Sequence, residues 1–188
     1  MKKLYLFILL SLMAAMVIIG CSGSASSPDV SNDKENASSM LERHGEAIDV
    51  YGPILKTEPN TPTAWYMRGF AFYGLGEYDK AIEAYDQALN MSPDDNYFWA
   101  SKGLALFKLG RYDEALEAYN QALQIDPNYT YGLNGKGLVL AKLGKYEEAI
   151  EAYDQALQIV EANGVKENDP FLIKLKENKE AVLNLLKK

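Results

Sequence analysis

The chain has 188 residues with 19 basic and 26 acidic side chains, a formal net charge of −7, one cysteine and one histidine. An acidic chain is not built to hold nucleic acid or an anionic bilayer as its main partner. A lone cysteine excludes a disulfide framework, and a lone histidine, His44, removes His-based triads and multi-histidine metal sites.

Lys2-Lys3 open the chain and an apolar run of sixteen residues follows, from Leu4 to Ile19. A charged start, a short apolar core and a small residue at the cut are the parts of a secretory signal. The run is short for a spanning helix, which needs about 20 apolar residues. It ends in Ile18-Ile19-Gly20-Cys21-Ser22, which resembles the lipobox of prokaryotic lipoproteins. That resemblance implies a signal peptide over 1–20 and lipidation at Cys21. An uncleaved signal anchor with an incidental cysteine is the alternative. Both put the rest of the chain in the cell envelope, membrane-attached and facing outside the cytoplasm, in a periplasm or at the cell surface. Without residues 1–20 the chain keeps 17 basic and 26 acidic residues, net −9. The anchor would therefore not rely on a basic patch, and firm attachment needs more than one acyl chain. Residues 21–37 are rich in Ser, Asp and Asn and lack an apolar period; they read as a lipidated residue and flexible tether.

Beyond the tether the chain repeats itself. Residues 62–95, 96–129 and 130–163 align at a period of 34. Gly69, Gly103 and Gly137 coincide, as do Gly76, Gly110 and Gly144, and then Tyr78, Tyr112 and Tyr146. Ala81, Ala115 and Ala149 follow, then Tyr85, Tyr119 and Tyr153, and then Ala88, Ala122 and Ala156. Each unit holds two apolar stretches of helical period parted by a glycine, which suits a left-handed helix cap. Asp79 or Asp113 can cap the helix that follows. The small pairs Gly69/Ala81, Gly103/Ala115 and Gly137/Ala149 are expected to let two antiparallel helices approach closely. Ser92-Pro93 and Asp126-Pro127 disfavour helix before the proline and start the next turn. Such copies cannot bury their apolar faces alone and must stack.

The pattern W-x3-G-x8-Y-x2-A-x3-Y-x2-A-x4-P, complete in the first two units, resembles the tetratricopeptide repeat. The third unit departs from it, with Leu133 for Trp and Glu161 for the closing Pro. Ala47, Ile48, Tyr51, Leu55 and Pro59 fall in the same phase upstream, so 38–61 read as a degenerate repeat or N-terminal cap keeping only a second helix. Gly52-Pro53 is expected to kink or shorten it. The resemblance implies an all-α fold, a right-handed superhelical solenoid of antiparallel helix pairs. Its function would be protein–protein recognition without catalysis or cofactor.

Charge divides between the two helices of each unit. The first helices (62–75, 96–109, 130–143) contain no Asp or Glu but carry Arg68, Lys102, Lys108, Lys136 and Lys142. Each second-helix stretch has a net charge of −3. In the resembled family first helices line a concave groove, which would here be mildly basic inside an acidic shell. The resemblance places Tyr66, Phe70 and Tyr73 of the first unit in that groove, then Tyr97, Leu104, Phe107 and Lys108 of the second. Tyr131, Asn134, Leu138 and Lys142 of the third complete it. Tyr66 and Tyr73 read rather as packing residues, and Phe70 and Tyr97 rather as ligand contacts. Arg68, Lys102 and Lys136 recur once per unit; a cation ladder for acidic ligands is the alternative to the expected reading, in which their heads meet second-helix carboxylates such as Glu83 or Glu117. Family members that clamp a C-terminal carboxylate do so with Lys and Asn. Here Tyr66, Phe70, Ser101, Tyr131 and Gly135 stand in those places, so that clamp is missing.

Asp169-Pro170 opens a last helix, with an N-cap before a proline at the first helical position. Phe171, Leu172, Leu175, Val182 and Leu186 form its apolar side and five lysines its polar side. It reads as a C-terminal capping helix over 164–188, with a basic amphipathic helix as the rival. His44 before Gly45 reads as a solvated or capping residue. No P-loop, GxSxG or CxxC occurs, and Asp94-Asp95-Asn96 lacks the later ligands of a calcium loop. The sequence therefore predicts a non-catalytic, lipid-anchored scaffold that binds a protein partner in its groove. Self-association into a homo-oligomer and a lipid or polysaccharide carrier stand as alternatives.

Overall fold

The computed structural model describes the backbone of residues 30–187 and the side chains of 41–187. The apolar run, the first part of the tether and Cys21 lie outside the described residues. The chain forms two compact units, Met1–Ser38 and Ser39–Lys188. Of the first, only the helical stretch from Val30 is described, and the architecture below is that of the second.

Eight helices are present among the described residues, and no strand. They are α1 Val30–Thr57, α2 Pro62–Gly74, α3 Tyr78–Met91, α4 Asn96–Lys108, α5 Tyr112–Ile125, α6 Thr130–Lys142, α7 Tyr146–Ala162 and α8 Pro170–Leu186. Helices α2/α3, α4/α5 and α6/α7 form the three hairpins, and each hairpin packs on the next. Successive first helices (α2, α4, α6, α8) touch one another, whereas the second helices α3, α5 and α7 do not. The stack therefore has first helices on its inner side. It is an all-α solenoid.

The turns follow from the glycines. Gly76, Gly110 and Gly144 sit at φ of 76–78° between the two helices of each hairpin, a region that other residues enter at a cost. The expected aspartate caps are not formed. The N-cap positions of α3 and α5 are Glu77 and Arg111, neither with a side-chain cap bond. Asp79 and Asp113 lie inside the first turn, where their charge meets the positive end of the helix dipole.

The close helix approach also has a different partner from the one the sequence suggested. A methyl group at Gly69 would lie 2.6 Å from the Tyr85 ring, with the Ala81 carbonyl only third nearest. Gly103 faces Tyr119 at 3.1 Å and Gly137 faces Tyr153 at 2.6 Å in the same way. The glycine makes room for a buried ring rather than for the alanine, and those tyrosines are almost wholly enclosed. Tryptophan ties each of the first two units to the loop before it. The Trp65 indole N–H donates to the Pro59 carbonyl and that of Trp99 to the Pro93 carbonyl, at 2.9 and 2.7 Å. Leu133 cannot make that bond, so the third unit lacks the tie.

Two ends close the array. Helix α1 begins at Val30, so residues 30–37 of the stretch read as tether are helical. It continues through Gly52-Pro53 to Thr57 instead of stopping there. Its Tyr51 and Leu55 are buried with Ala64 of α2, so α1 serves as the second helix of a unit before the first. At the other end Asp169 accepts the backbone N–H groups of Phe171 and Leu172, the cap that its place before Pro170 predicts. Leu172, Leu175 and Val182 of α8 are buried against α6 and α7. Leu186, expected on the same side, is instead exposed. Lys174, Lys176 and Lys179 pair with Glu177, Glu167 and Asp154. Those pairings leave little of the basic face that the rival reading of α8 required.

Candidate functional site on the inner face

The repeat lets each position be compared with its equivalent 34 residues away. Where the first unit meets the second, Tyr66 of α2 stacks on Phe98 of α4, with centroids 4.8 Å apart. Phe98 is buried with Ala88 and Leu89 beneath. Where the second unit meets the third, the equivalent residues are Ala100 and Gly132. Both rings of the stack are gone. Gly135 stands where Ser101 stood one unit earlier, removing a third side chain.

A recess of about 210 Å3 opens at that junction, lined by Ala100, Ser101 and Leu104 from α4 and by Tyr131, Asn134, Gly135 and Leu138 from α6. Tyr119 of α5 forms its floor, pressed so closely on Gly135 that a methyl group there would lie 2.3 Å from the ring. Tyr129, at the N-cap position of α6, leans in from the side. Its ring lies against Gly132 and occupies part of the room vacated by the missing phenylalanine. Burial raises the pKa of the Tyr119 and Tyr129 hydroxyls well above the usual phenol range, and neighbouring tyrosines add to it. The recess thus presents neutral hydroxyls and apolar walls.

The groove residues expected from sequence fall into three groups. Leu104, Tyr131, Asn134 and Leu138 meet at the recess. Tyr97 adjoins it through Tyr129, at 5.2 Å, and is 57% exposed; Tyr131 is 60% exposed. Lys108 and Lys142 lie one turn beyond Leu104 and Leu138 and are exposed, with no ion-pair partner among the described residues. The remaining aromatics pack. Tyr66 lies between Phe98 and Tyr85, Tyr73 against Tyr78 at 5.4 Å, and Phe107 against Tyr112 at 5.6 Å.

Phe70 is covered from α1. His44, expected to be solvated, sits 5.9 Å from the Phe70 ring and fills the space above Gly74. Burial, helped by the Arg43 charge, lowers its pKa and favours the neutral ring. Residues 70 and 74 are the equivalents of Leu104 and Lys108, so α1 occupies at the first unit what stays open at the second. Helix α8 bounds the other side, with Phe171 4.3 Å from Tyr131 and Asn178 bonded to Asn134 at 3.0 Å. The recess lies between these two covers.

The recurring cations point away from it. Lys102 reaches Asp86 of the preceding second helix at 2.6 Å, a carboxylate partner of the expected type although not the named residue. Lys179 of α8 pairs with Asp154, the equivalent of Asp86 two units on. Arg68 has Gly52 where a partner would stand. Its guanidinium lies 5.4 Å from the Trp65 and Phe72 rings, and its Nε is buried without a hydrogen-bond partner.

Sequence reading missed Ala100, Ser101, Tyr119, Tyr129 and Gly135. The available signal was a lack of bulk at 100, 132 and 135 relative to the neighbouring unit. Among the described residues no group of three His, Cys, Asp or Glu side chains is placed to hold a metal ion. No described helix is long and apolar enough to cross a membrane.

The sequence profile of the tetratricopeptide repeat matches residues 41–95, 66–130 and 130–163. The chain belongs to the tetratricopeptide repeat family. That family is generally a non-catalytic protein-interaction module. No curated protein matches the chain at a significant level. Among solved structures it is similar to the Sgt2 TPR domain from Aspergillus fumigatus. The two share 25% identity with a TM-score of 0.60, over 67% of this chain and 79% of that one. The first TPR of Spaghetti (RPAP3), bound to the HSP90 peptide SRMEEVD, shares 20% identity with a TM-score of 0.60. That match covers 68% of this chain and 94% of the other. The TPR2B domain of yeast Sti1, in a pHsp70 complex, shares 21% identity with a TM-score of 0.61. It covers 66% and 97% of the respective chains. These last two likenesses concern the fold.

Proposed function

We propose that this tetratricopeptide repeat protein is a non-catalytic scaffold of the cell envelope. It would be anchored through a lipid on Cys21 and take a segment of a partner protein onto its inner face. The observation that carries the interaction half is the open recess between α4 and α6, flanked by the exposed rings of Tyr97 and Tyr131. Large rings beside a sheltered hollow are the usual anchors of protein interfaces. Structural neighbours solved with HSP90 and Hsp70 ligands support use of this fold for peptides. The anchor half rests on Lys2-Lys3, the apolar run and Ile-Ile-Gly-Cys21.

Two measurements test the halves separately. In a detergent phase split the mature protein should enter the detergent phase, and Cys21→Ser should abolish incorporation of a labelled fatty acid. Partition of the intact protein to the aqueous phase would dispose of the anchor. In intact cells, crosslinking should capture a protein partner, and Tyr97→Ala with Tyr131→Ala should reduce that capture while leaving helicity unchanged. Capture indifferent to both rings would remove the inner face as the binding surface.

Self-association is favoured by one observation, the exposed Ile173, Leu185 and Leu186 on α8. A concentration-dependent mass by sedimentation, lost on Ile173→Asp with Leu185→Asp, is the outcome expected from that reading.

A further inference from the structure

We infer that the recess between α4 and α6 selects its partner by one large apolar side chain, aromatic or leucine, borne on an acidic segment. This rests on the reading of the inner face as a protein-binding surface and specifies the chemistry of what it takes.

The size argument comes from the comparison of junctions. The first junction holds a ring from position 66 and another from position 98, stacked on each other. The second lacks both, and Tyr129 returns only one of them. About one ring's worth of space is left, and the recess volume of about 210 Å3 agrees. An apolar cavity of about 150 Å3 is enough to take up benzene. The walls are Ala100, Leu104, Leu138 and the faces of Tyr119 and Tyr131, with Ser101 and Asn134 as polar points at the rim. Such a lining rewards burial of carbon and offers nothing to a buried charge.

The charge argument concerns the flanks. The first-helix stretches at 96–109 and 130–143 contain no acidic residue. Lys108 and Lys142 follow the recess-lining Leu104 and Leu138 by four residues, one helical turn on the same side. Two exposed cations beside an uncharged hollow complement a ligand whose apolar side chain is followed within a few residues by Asp or Glu. The chain's own N-terminal stretch is a poor occupant, because residues 22–37 contain no aromatic residue, Leu, Ile or Met.

The test uses twelve-residue fluorescent peptides blocked at both ends, with Phe, Leu or Ala at the centre and either Asp/Glu or Lys on the flanks. Binding to the full-length protein is read by anisotropy. Phe and Leu centres should bind at least tenfold tighter than Ala, and acidic flanks tighter than basic ones. Lys108→Glu with Lys142→Glu should reverse the flank preference. Ala100→Tyr, Tyr129→Asp and Gly132→Phe together restore to the second junction the two stacked rings of the first and its aspartate cap. This variant should lose tenfold or more for the Phe peptide at unchanged helicity. Leu104→Trp, which plugs the recess from an exposed rim, should do the same if the triple variant fails to fold. Equal binding by Ala-centred peptides, binding indifferent to refilling, or no binding by any peptide overturns the inference. Binding that ignores the central residue yet falls with Tyr97→Ala and Tyr131→Ala would leave the inner-face reading standing and remove only the pocket.

Discussion

The two junctions of this solenoid share one framework and differ in what they enclose. In both, a first-helix glycine receives the ring of a second-helix tyrosine, Gly69 with Tyr85 and Gly103 with Tyr119. At the first junction Tyr66 and Phe98 fill the space above that framework. At the second, Ala100 and Gly132 leave it open. The repeating residues thus fix how helices pack, and residues outside the motif decide whether a surface is sealed or receptive. Similarity between copies tells of stability; departure from it marks the place available for binding.

That contrast can be broken most forcefully at its floor. Tyr85→Ala empties a site enclosed on all sides, and should cost about 3–5 kcal/mol in urea unfolding. Tyr119→Ala should cost measurably less, because one side of the ring already faces the recess and solvent can follow. Equal losses would mean that the second junction is as tightly filled as the first.

Next in size is Gly135, one of two glycines that the second junction alone possesses. A methyl group at Gly135 would stand 2.3 Å from Tyr119. Gly135→Ala should then lose a net of about 1–2 kcal/mol despite the gain in helix propensity. Ser101→Ala, at the equivalent place in the preceding unit, should change the unfolding midpoint little.

A smaller effect separates the helix starts. Asp95 accepts the N–H groups of Tyr97 and Phe98, so Asp95→Ala should cost about 1 kcal/mol. Tyr129 holds the same position before α6 with no side-chain cap bond, having given up that role for its ring. Tyr129→Ala should therefore act on peptide binding more than through loss of a cap.

The smallest expected change concerns charge. Lys102 pairs with Asp86, whereas Lys136 has Asn120 in the equivalent place. Asn120→Asp should supply the missing partner and gain about 0.2–1 kcal/mol, an effect that added salt should erase.

Much of the fold was legible because its signals are local. The left-handed glycines, the prolines after Ser92 and Asp126, and the Asp169 cap each act within a few residues of themselves. The errors arose where a residue answers to a distant neighbour. Asp79 resembles a cap in sequence, yet the turn before it is closed by backbone bonds such as Glu77 N–H to Phe72. Gly52-Pro53 would end an isolated helix, but Tyr51 and Leu55 on either side are buried against α2 and hold it. His44 reads as surface until Gly74, thirty residues on, supplies a place for it. The candidate site was only half visible for a related reason. Searching for exposed rings found Tyr97 and Tyr131, and also Tyr66, Tyr73 and Phe107, which pack. A hollow made by side chains that are missing leaves no residue to notice. Only subtraction of one copy from the next reveals it.

Helix α8 has a consequence for how such a chain can grow. It rests on α6 and α7 as a further first helix would, but it starts 40 residues after Thr130 rather than 34. The added length comes from α7, which runs three residues beyond α3 and α5, and from the connection through Gly164. A new copy appended after residue 163 would keep the 34-residue spacing but follow a helix that runs to Ala162, without the four-residue turn (92–95, 126–129) that separates the other units. Duplicating 96–129 in place keeps every spacing. The array is therefore extensible from its middle and not from its tail, which makes 129/130 the splice point for lengthening the groove by one module.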